Sequence, residues 1–289
     1  MEQAKQEIAK QNSTRALLSR GRGEGGEGRL QALFAQKDRN VLNVYCTAGY
    51  PQLNSTLDVI KALQANGADL AEIGMPYSDP LADGAVIQHS SSIALANGMT
   101  MKKLFEQLRA LRTSPSLGGV GEAFPVILIG YMNPVLQYGF EKFCGDAAAV
   151  GIDGLILPDL PECEFETEYG SIIKRYGLDF IFLVTPETSE ARLRKLDSLS
   201  SGFLYAVSSS STTGSDKNMT DVTAYLQKLQ AMQLKNPVLV GFGIKDKASF
   251  DAAAQYSNGA IIGTAFIKAL ENATDVEATT QSFLKHVIG

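Results

Sequence analysis

Eight short apolar runs, spaced along the chain with amphipathic stretches between them, limit what this sequence can fold into more than any other feature. The runs are Val41–Cys46, Leu70–Ile73, Pro125–Gly130, Gly154–Leu157, Phe180–Val184, Phe203–Val207, Val238–Gly241 and Ala260–Ile262. They are nearly continuous in apolar and β-branched residues, as strands of a parallel sheet covered on both faces must be. The stretches between them carry helical spacing. In 221–232, Val222, Tyr225, Leu226 and Leu229 recur at i, i+3, i+4 and i+7. In 53–66, Leu53, Leu57, Ile60 and Leu63 mark one face in the same way. Eight strand–helix units predict one (β/α)8 barrel over residues 29–289, a fold that takes about 250 residues. An open doubly wound sheet fits less well. The first run is followed by Thr47-Ala48-Gly49-Tyr50-Pro51, a turn and not the glycine-rich phosphate loop of that fold.

Residues 1–28 stand outside this rhythm. They are polar and end in Gly21-Arg22-Gly23-Glu24-Gly25-Gly26-Glu27-Gly28, so they offer little apolar surface to offset the entropy of ordering. We expect a flexible tail with a short helix within 2–19. A net charge of −5 without a basic patch argues against nucleic-acid binding. The three cysteines, Cys46, Cys144 and Cys163, are widely separated and odd in number, which fits thiols better than a disulfide framework. Two histidines, His89 and His286, are too few for a histidine zinc site. No apolar run nears the roughly 20 residues that span a bilayer, and residues 1–10 lack the apolar segment of a secretory signal. These features predict a cytoplasmic protein.

The chemistry is expected where barrel enzymes place it, at the C-terminal ends of the strands. Glu72 lies inside the apolar run Leu70-Ala71-Glu72-Ile73-Gly74, and alternation sets it on one face with Leu70 and Gly74, toward the barrel mouth. A carboxylate there is costly unless paired or used, and none of the eight runs holds a Lys or Arg to pair with it. In the following loop, Asp79 and Asp83 are equally compatible with turn or cap roles, since Asp-Pro and Asp-Gly favour turns. Gly241-Phe242-Gly243 ends the seventh run, and Gly263-Thr264 ends the eighth and opens a helix. Glycines let backbone amides approach an anion, and the loops after strands seven and eight are the recurrent phosphate site of barrels. Tyr205 fits barrel core as well as a substrate contact, His89 fits a helix surface, and Cys46 has no evident base beside it to make it a nucleophile. The glycine- and serine-rich stretch 113–123 precedes the third run, on the opposite face, and is given no function.

Glu72-Ile73-Gly74-Met75-Pro76-Tyr77-Ser78-Asp79-Pro80-Leu81-Ala82-Asp83-Gly84 closely resembles the signature of the tryptophan synthase alpha subunit. Thr47–Pro51, Gly130-Tyr131-Met132-Asn133-Pro134-Val135, Pro158-Asp159-Leu160-Pro161, Gly241–Ile244 and Gly263-Thr264-Ala265 fit the same pattern in the same order. The resemblance runs from about Leu30 to the C-terminus. It implies a (β/α)8-barrel lyase of tryptophan biosynthesis that cleaves indole-3-glycerol phosphate to indole and glyceraldehyde 3-phosphate. Carried over by position, it implies Glu72 as general acid/base and Asp83 as its partner at the indole nitrogen. Gly214, Gly243, Gly263 and Thr264 would surround the phosphate, with Thr213 in the same loop. Tyr131, Tyr205 and Phe242 would wall the indole pocket. It further implies no cofactor on this chain and an alpha2beta2 complex with a beta subunit that carries pyridoxal phosphate. The loop 208–218 departs from the family's usual form at Ser209 and Ser211, where a basic residue and a glycine are common. A free-standing indole-3-glycerol phosphate lyase and a non-catalytic regulatory subunit are the alternatives.

Overall fold

The computed structural model describes residues 28–112, 123–207, 219–241 and 243–289, with side chains of 219–222 excepted. Nine strands run parallel: β1 (Val41–Thr47), β2 (Leu70–Gly74), β3 (Val126–Ile129), β4 (Gly154–Ile156), β5 (Asp179–Phe180), β6 (Leu183–Val184), β7 (Leu204–Ala206), β8 (Val238–Val240) and β9 (Gly259–Ile262). Their order is β5-β4-β3-β2-β1-β9-β8-β7-β6. The two ends of that order are two pieces of one continuous segment, so the sheet closes on itself. Ile181 N donates to Leu155 O at 3.0 Å on one side, and Tyr205 N donates to Phe182 O at 3.0 Å on the other. The fold is an α/β barrel with eight strand positions. Among the strands, the fifth run, read from the sequence as a single strand, is split into β5 and β6.

The alternation of side chains sorts the core into two layers. Leu70 joins Val41, Ile127, Ile156, Ile181, Phe203, Leu239 and Ile261 in a fully buried cluster inside the barrel. Ala71 and Ile73 face the other way, into the larger layer between sheet and helices. That outer layer is filled by the apolar stripes of the helices. In α2 (Thr56–Ala65), Val59, Ile60 and Leu63 are buried. This helix starts three residues later than the spacing from Leu53 suggests, after Ser55. In the helix Met219–Ala231, Tyr225, Leu226 and Leu229 are buried, together with Met232 just beyond it.

The N-terminal end of the barrel is plugged by α1 (Arg29–Gln36). Leu30 is wholly buried in the interior cluster, with Leu33 and Phe34 packed against it. The plug is pinned by charge. Arg29 Nη1 donates to Asp153 Oδ1 at 2.6 Å, and Arg112 Nη2 donates to Asp153 Oδ2 at 2.9 Å. Asp153 stands just before β4, at the end of the barrel opposite the mouth. With two guanidinium partners and the backbone N–H of Val126 at 2.8 Å, its buried carboxylate is compensated. Among the described residues no helix is long and apolar enough to cross a membrane.

Candidate active site

Glu72 is 1% exposed and opposes Tyr45 of β1 in the parallel register. Asn43, two residues earlier on the same face of β1, donates from Nδ2 to Glu72 Oε2 at 2.8 Å. Burial is the main influence on this carboxyl and pushes its pKa up to about 8; the Asn43 bond works the other way, and the charge of Asp83 raises it further. A group that titrates near the working pH can both give and take a proton, and such tuning by desolvation is how barrel carboxyls become acid/base catalysts. Cys46, on the other face of β1, is buried, and burial pushes its thiol well above the ordinary range, which removes it as a nucleophile.

The loop from Met75 to Gly84 brings a second carboxyl to the mouth. Asp83 is half-buried, and desolvation raises its pKa to about 6 against the lowering effect of a hydrogen bond from Tyr131. It is not the helix cap that Asp-Gly allows. That position falls to Gly84, ahead of α3 (Ala85–Ala96). Tyr131, at the end of β3, fixes the loop twice over. Its hydroxyl accepts from Ala82 N at 3.0 Å and donates to the Asp83 carboxylate. The Tyr131 ring also lies 5.4 Å from that of Tyr77, whose hydroxyl accepts from Asn133 Nδ2 at 3.0 Å. The turn carrying Tyr131 is itself held, because both Asp159 oxygens accept from Met132 N at 3.0 Å. Three stretches singled out in the sequence, 72–84, 130–135 and 158–161, thus form one hydrogen-bonded unit. Asp79 is exposed, and its Oδ2 accepts from Ser78 Oγ at 2.5 Å. His89 is exposed on α3.

Two tyrosines fill the space between the strands at the mouth. Tyr45 on β1 contacts Thr47 Oγ1 through its hydroxyl at 3.2 Å, and Thr47 Oγ1 meets Ser90 Oγ at 2.6 Å. Tyr205 on β7 packs against the interior cluster. Both owe their room to glycine. A Cβ on Gly74 would lie 2.1 Å from Tyr45 Oη, and one on Gly241 would lie 2.0 Å from Tyr205 Cε2. Both phenols are raised in pKa, first by burial and then by the charges of Glu72 and Asp83, and stay neutral.

On the other side of β1, β9 is followed directly by Gly263, and Gly243 lies three residues beyond the end of β8, the next strand over. Gly243 has φ +69°, a left-handed conformation that favours glycine. Gly263 precedes the helix Thr264–Leu270, and its carbonyl accepts from Ile267 N at 3.0 Å. Thr264 is half-buried at the first position of that helix, where backbone N–H groups lack intrahelical acceptors. The strand order sets Gly263 on one flank of β1 and Glu72 on the other. Two strand spacings of about 4.8 Å each put roughly 10 Å between these edges. Phe242, Thr213, Gly214 and the whole loop 208–218, including Ser209 and Ser211, lie outside the described residues, as do the expected helix within 2–19 and residues 113–122.

Sequence reasoning missed Asn43, Thr47 and Ser90. Asn43 left a signal, since it is the lone amide in an otherwise apolar run and shares Glu72's inward parity. The clamp made by Tyr131 left none, because it depends on the loop's path. Among the described residues no group of three or more His, Cys, Asp or Glu could hold a metal ion.

Two carboxyls of raised and unequal proton affinity at the mouth of a closed parallel barrel, beside glycine-ended strands, fit the class of (β/α)8-barrel enzymes. Within that class the chain belongs to the tryptophan synthase alpha chain family, whose sequence profile matches residues 31–287. It is 48% identical over 252 residues to the tryptophan synthase alpha chain of Parabacteroides distasonis, covering 86% of this chain and 95% of that one. It is 51% identical over 236 residues to the alpha chain of Flavobacterium johnsoniae, covering 81% of this chain and 90% of that one. Among solved structures, tryptophan synthase subunit alpha from Legionella pneumophila superposes with a TM-score of 0.79 at 32% identity, over 90% of this chain and 95% of that one. The aminoacrylate-bound tryptophan synthase of M. tuberculosis superposes with a TM-score of 0.76 at 31% identity, over 90% of this chain and 100% of that one.

Proposed function

We propose that the chain is a lyase that cleaves indole-3-glycerol phosphate to indole and glyceraldehyde 3-phosphate, with Glu72 as the acid/base. The observation that carries this assignment of roles is the buried carboxyl of Glu72, raised to about 8 and held by Asn43 at the mouth of the barrel. In the retro-aldol step, a proton reaches C3 of the indole ring, the bond from C3 to the glycerol chain breaks, and the hydroxyl on the adjacent carbon loses its proton to become the aldehyde. One carboxyl suffices for both transfers, because it ends in the state in which it began. Asp83, with the lower pKa of about 6, is the carboxylate of the pair; it accepts from the ring N–H and stabilises the positive charge that protonation of the ring creates.

The phosphate belongs at Gly243, Gly263 and Thr264, with Gly214 closing from its loop. The span of about 10 Å across β1 is of the right order for a glycerol phosphate chain lying between that end and Glu72. Tyr131, Tyr205 and Phe242 wall the indole ring, with Thr213 in the closing loop and Asp79 in the loop after β2. No cofactor is required on this chain for proton transfer. Its expected partner is a tryptophan synthase beta subunit carrying pyridoxal phosphate, in an alpha2beta2 complex of the cytoplasm, where Cys46, Cys144 and Cys163 remain free thiols.

Indole release from indole-3-glycerol phosphate by the purified chain, with and without a beta subunit from the same source, tests the proposal. We expect release in both conditions and faster release with the partner. No indole in either condition overturns the assigned reaction. Rapid release with no complex at micromolar concentrations overturns the partnership alone and leaves a free-standing lyase.

A further inference from the structure

Asn43 is wholly buried, and its two amide atoms are treated differently by the fold. Nδ2 donates to Glu72 Oε2 at 2.8 Å, whereas Oδ1 is buried with no hydrogen-bond partner. A buried acceptor without a partner costs roughly 1–3 kcal/mol, so an amide at this position needs a reason. An apolar side chain would suit the interior layer formed by its neighbours Val41 and Leu70. The register also matters. Tyr45 opposes Glu72 while Asn43 opposes Leu70, so Asn43 approaches the carboxyl from the strand side away from the mouth. Asn43 engages Oε2 of Glu72 only, and among the described residues no hydrogen bond reaches Oε1.

We infer that Asn43 is a positioning residue for the proton-transferring carboxyl, holding Oε2 of Glu72 in either protonation state and leaving Oε1 for the substrate. The inference rests on the assignment of Glu72 as acid/base. An amide can serve both states: it donates N–H to a carboxylate, or turns through half a rotation and accepts the proton of a neutral carboxyl through its oxygen. Because Oδ1 has no other partner, the half-turn breaks no second bond. A carboxyl that changes protonation within each turnover would otherwise be held in one of its states and released in the other.

The charged and titratable groups around Glu72 are Tyr45 on the same face of β1, Cys46 on its other face, Asp83 on the loop after β2, and Tyr205 on β7. Burial keeps the two phenols and the thiol neutral, so Asp83 is the group whose titration overlaps that of Glu72. The experiment is the pH dependence of kcat/KM for indole release, which reports groups of the free enzyme, in the native chain, Asn43→Leu and Asn43→Asp, each also with Asp83→Asn to remove the overlapping titration. Because the N–H bond to the charged carboxylate is about twice as strong as the bond accepted from the neutral acid, its loss should move the Glu72 midpoint upward by about one pH unit in Asn43→Leu, and the added carboxylate of Asn43→Asp should move it further in the same direction. A residue that merely filled space would lower the melting temperature and leave the midpoint in place. An unmoved midpoint in a folded variant overturns the inference. Full activity of Glu72→Gln overturns it together with the acid/base assignment, and so separates the two failures. If neither Asn43 variant folds, the native chain labelled with ¹⁵N asparagine decides: one side-chain amide signal should titrate with Glu72 and cease to titrate in Glu72→Gln. The absence of any such signal overturns the inference.

Discussion

Gly241 and Tyr205 are fitted to each other across the mouth of the barrel: a Cβ on the glycine would lie 2.0 Å from Cε2 of the tyrosine ring. Because Gly241 follows β8 and Tyr205 sits within β7, the ring can lie over the neighbouring strand only if that strand has no side chain there. Gly241→Ala should therefore displace the ring, at a cost of about 1–3 kcal/mol in stability. It should also lower kcat/KM for indole-3-glycerol phosphate by more than it lowers the affinity for glycerol phosphate alone. Steady-state kinetics and calorimetry compare the two; an unchanged kcat/KM in the folded variant removes Tyr205 from the pocket wall.

Glu72→Gln keeps the shape of the side chain and loses proton transfer. Turnover should fall by at least the ~10²–10⁴ typical of a general acid/base, while substrate analogues still bind. Near-native turnover in a folded Glu72→Gln chain contradicts the role.

The same substitution has a thermal signature. Glu72 is raised from an ordinary 4.5 to about 8 in the folded chain, so the native state keeps a proton that the unfolded chain has released. The stability this proton contributes is fully present below pH 4.5 and is lost as pH rises through about 8. Asp83 acts in the same direction between 3.8 and about 6. The melting temperature of the native chain should therefore decline over this window, and that of Glu72→Gln should decline by several degrees less. Parallel melting curves for the two proteins against pH would rule out a raised Glu72.

Tyr131→Phe removes the hydroxyl that accepts from Ala82 N and donates to Asp83. Since that donation lowers the Asp83 pKa, its loss should move the Asp83 midpoint above about 6. Loosening of the loop should raise KM by roughly tenfold, the equivalent of one hydrogen bond to a charged group. A KM and pH profile identical to those of the native chain would show that the loop is held by other means.

Gly243→Val should weaken glycerol phosphate binding much more than indole binding. Among the described residues, chain neighbours aside, no heavy atom lies within 4 Å of a Cβ placed there, so the effect would come from the left-handed φ of +69° and from a blocked approach of the anion to the backbone. Calorimetry with each ligand separates this from a general folding defect, which would weaken both alike.

How far the sequence reveals this molecule depends on which interactions are local. The strands could be read because a parallel sheet covered on both faces needs apolar residues at every position, a pattern carried by each segment alone. Glu72 could be read because it breaks that pattern without a basic residue nearby. The split of Phe180–Val184 into β5 and β6 could not, since both halves remain apolar and only their partners differ. The pairings of Gly74 with Tyr45 and of Gly241 with Tyr205 are likewise invisible, because they depend on strand register. Asn43 was legible as an anomaly but not as a partner of Glu72, since nothing in a linear sequence sets β1 and β2 in step.

The plug formed by α1 bears on the order in which the chain can assemble. Leu30 belongs to an interior cluster completed by Ile261, and Arg29 meets Asp153 at a separation of 124 residues. During synthesis α1 therefore emerges before most of the surface it is to cover. It must wait with Leu30, Leu33 and Phe34 unburied until nearly the whole polypeptide has left the ribosome. For this barrel, a helix made ahead of the strands is among the last elements to find its place, and that interval is the natural one for a chaperone to occupy.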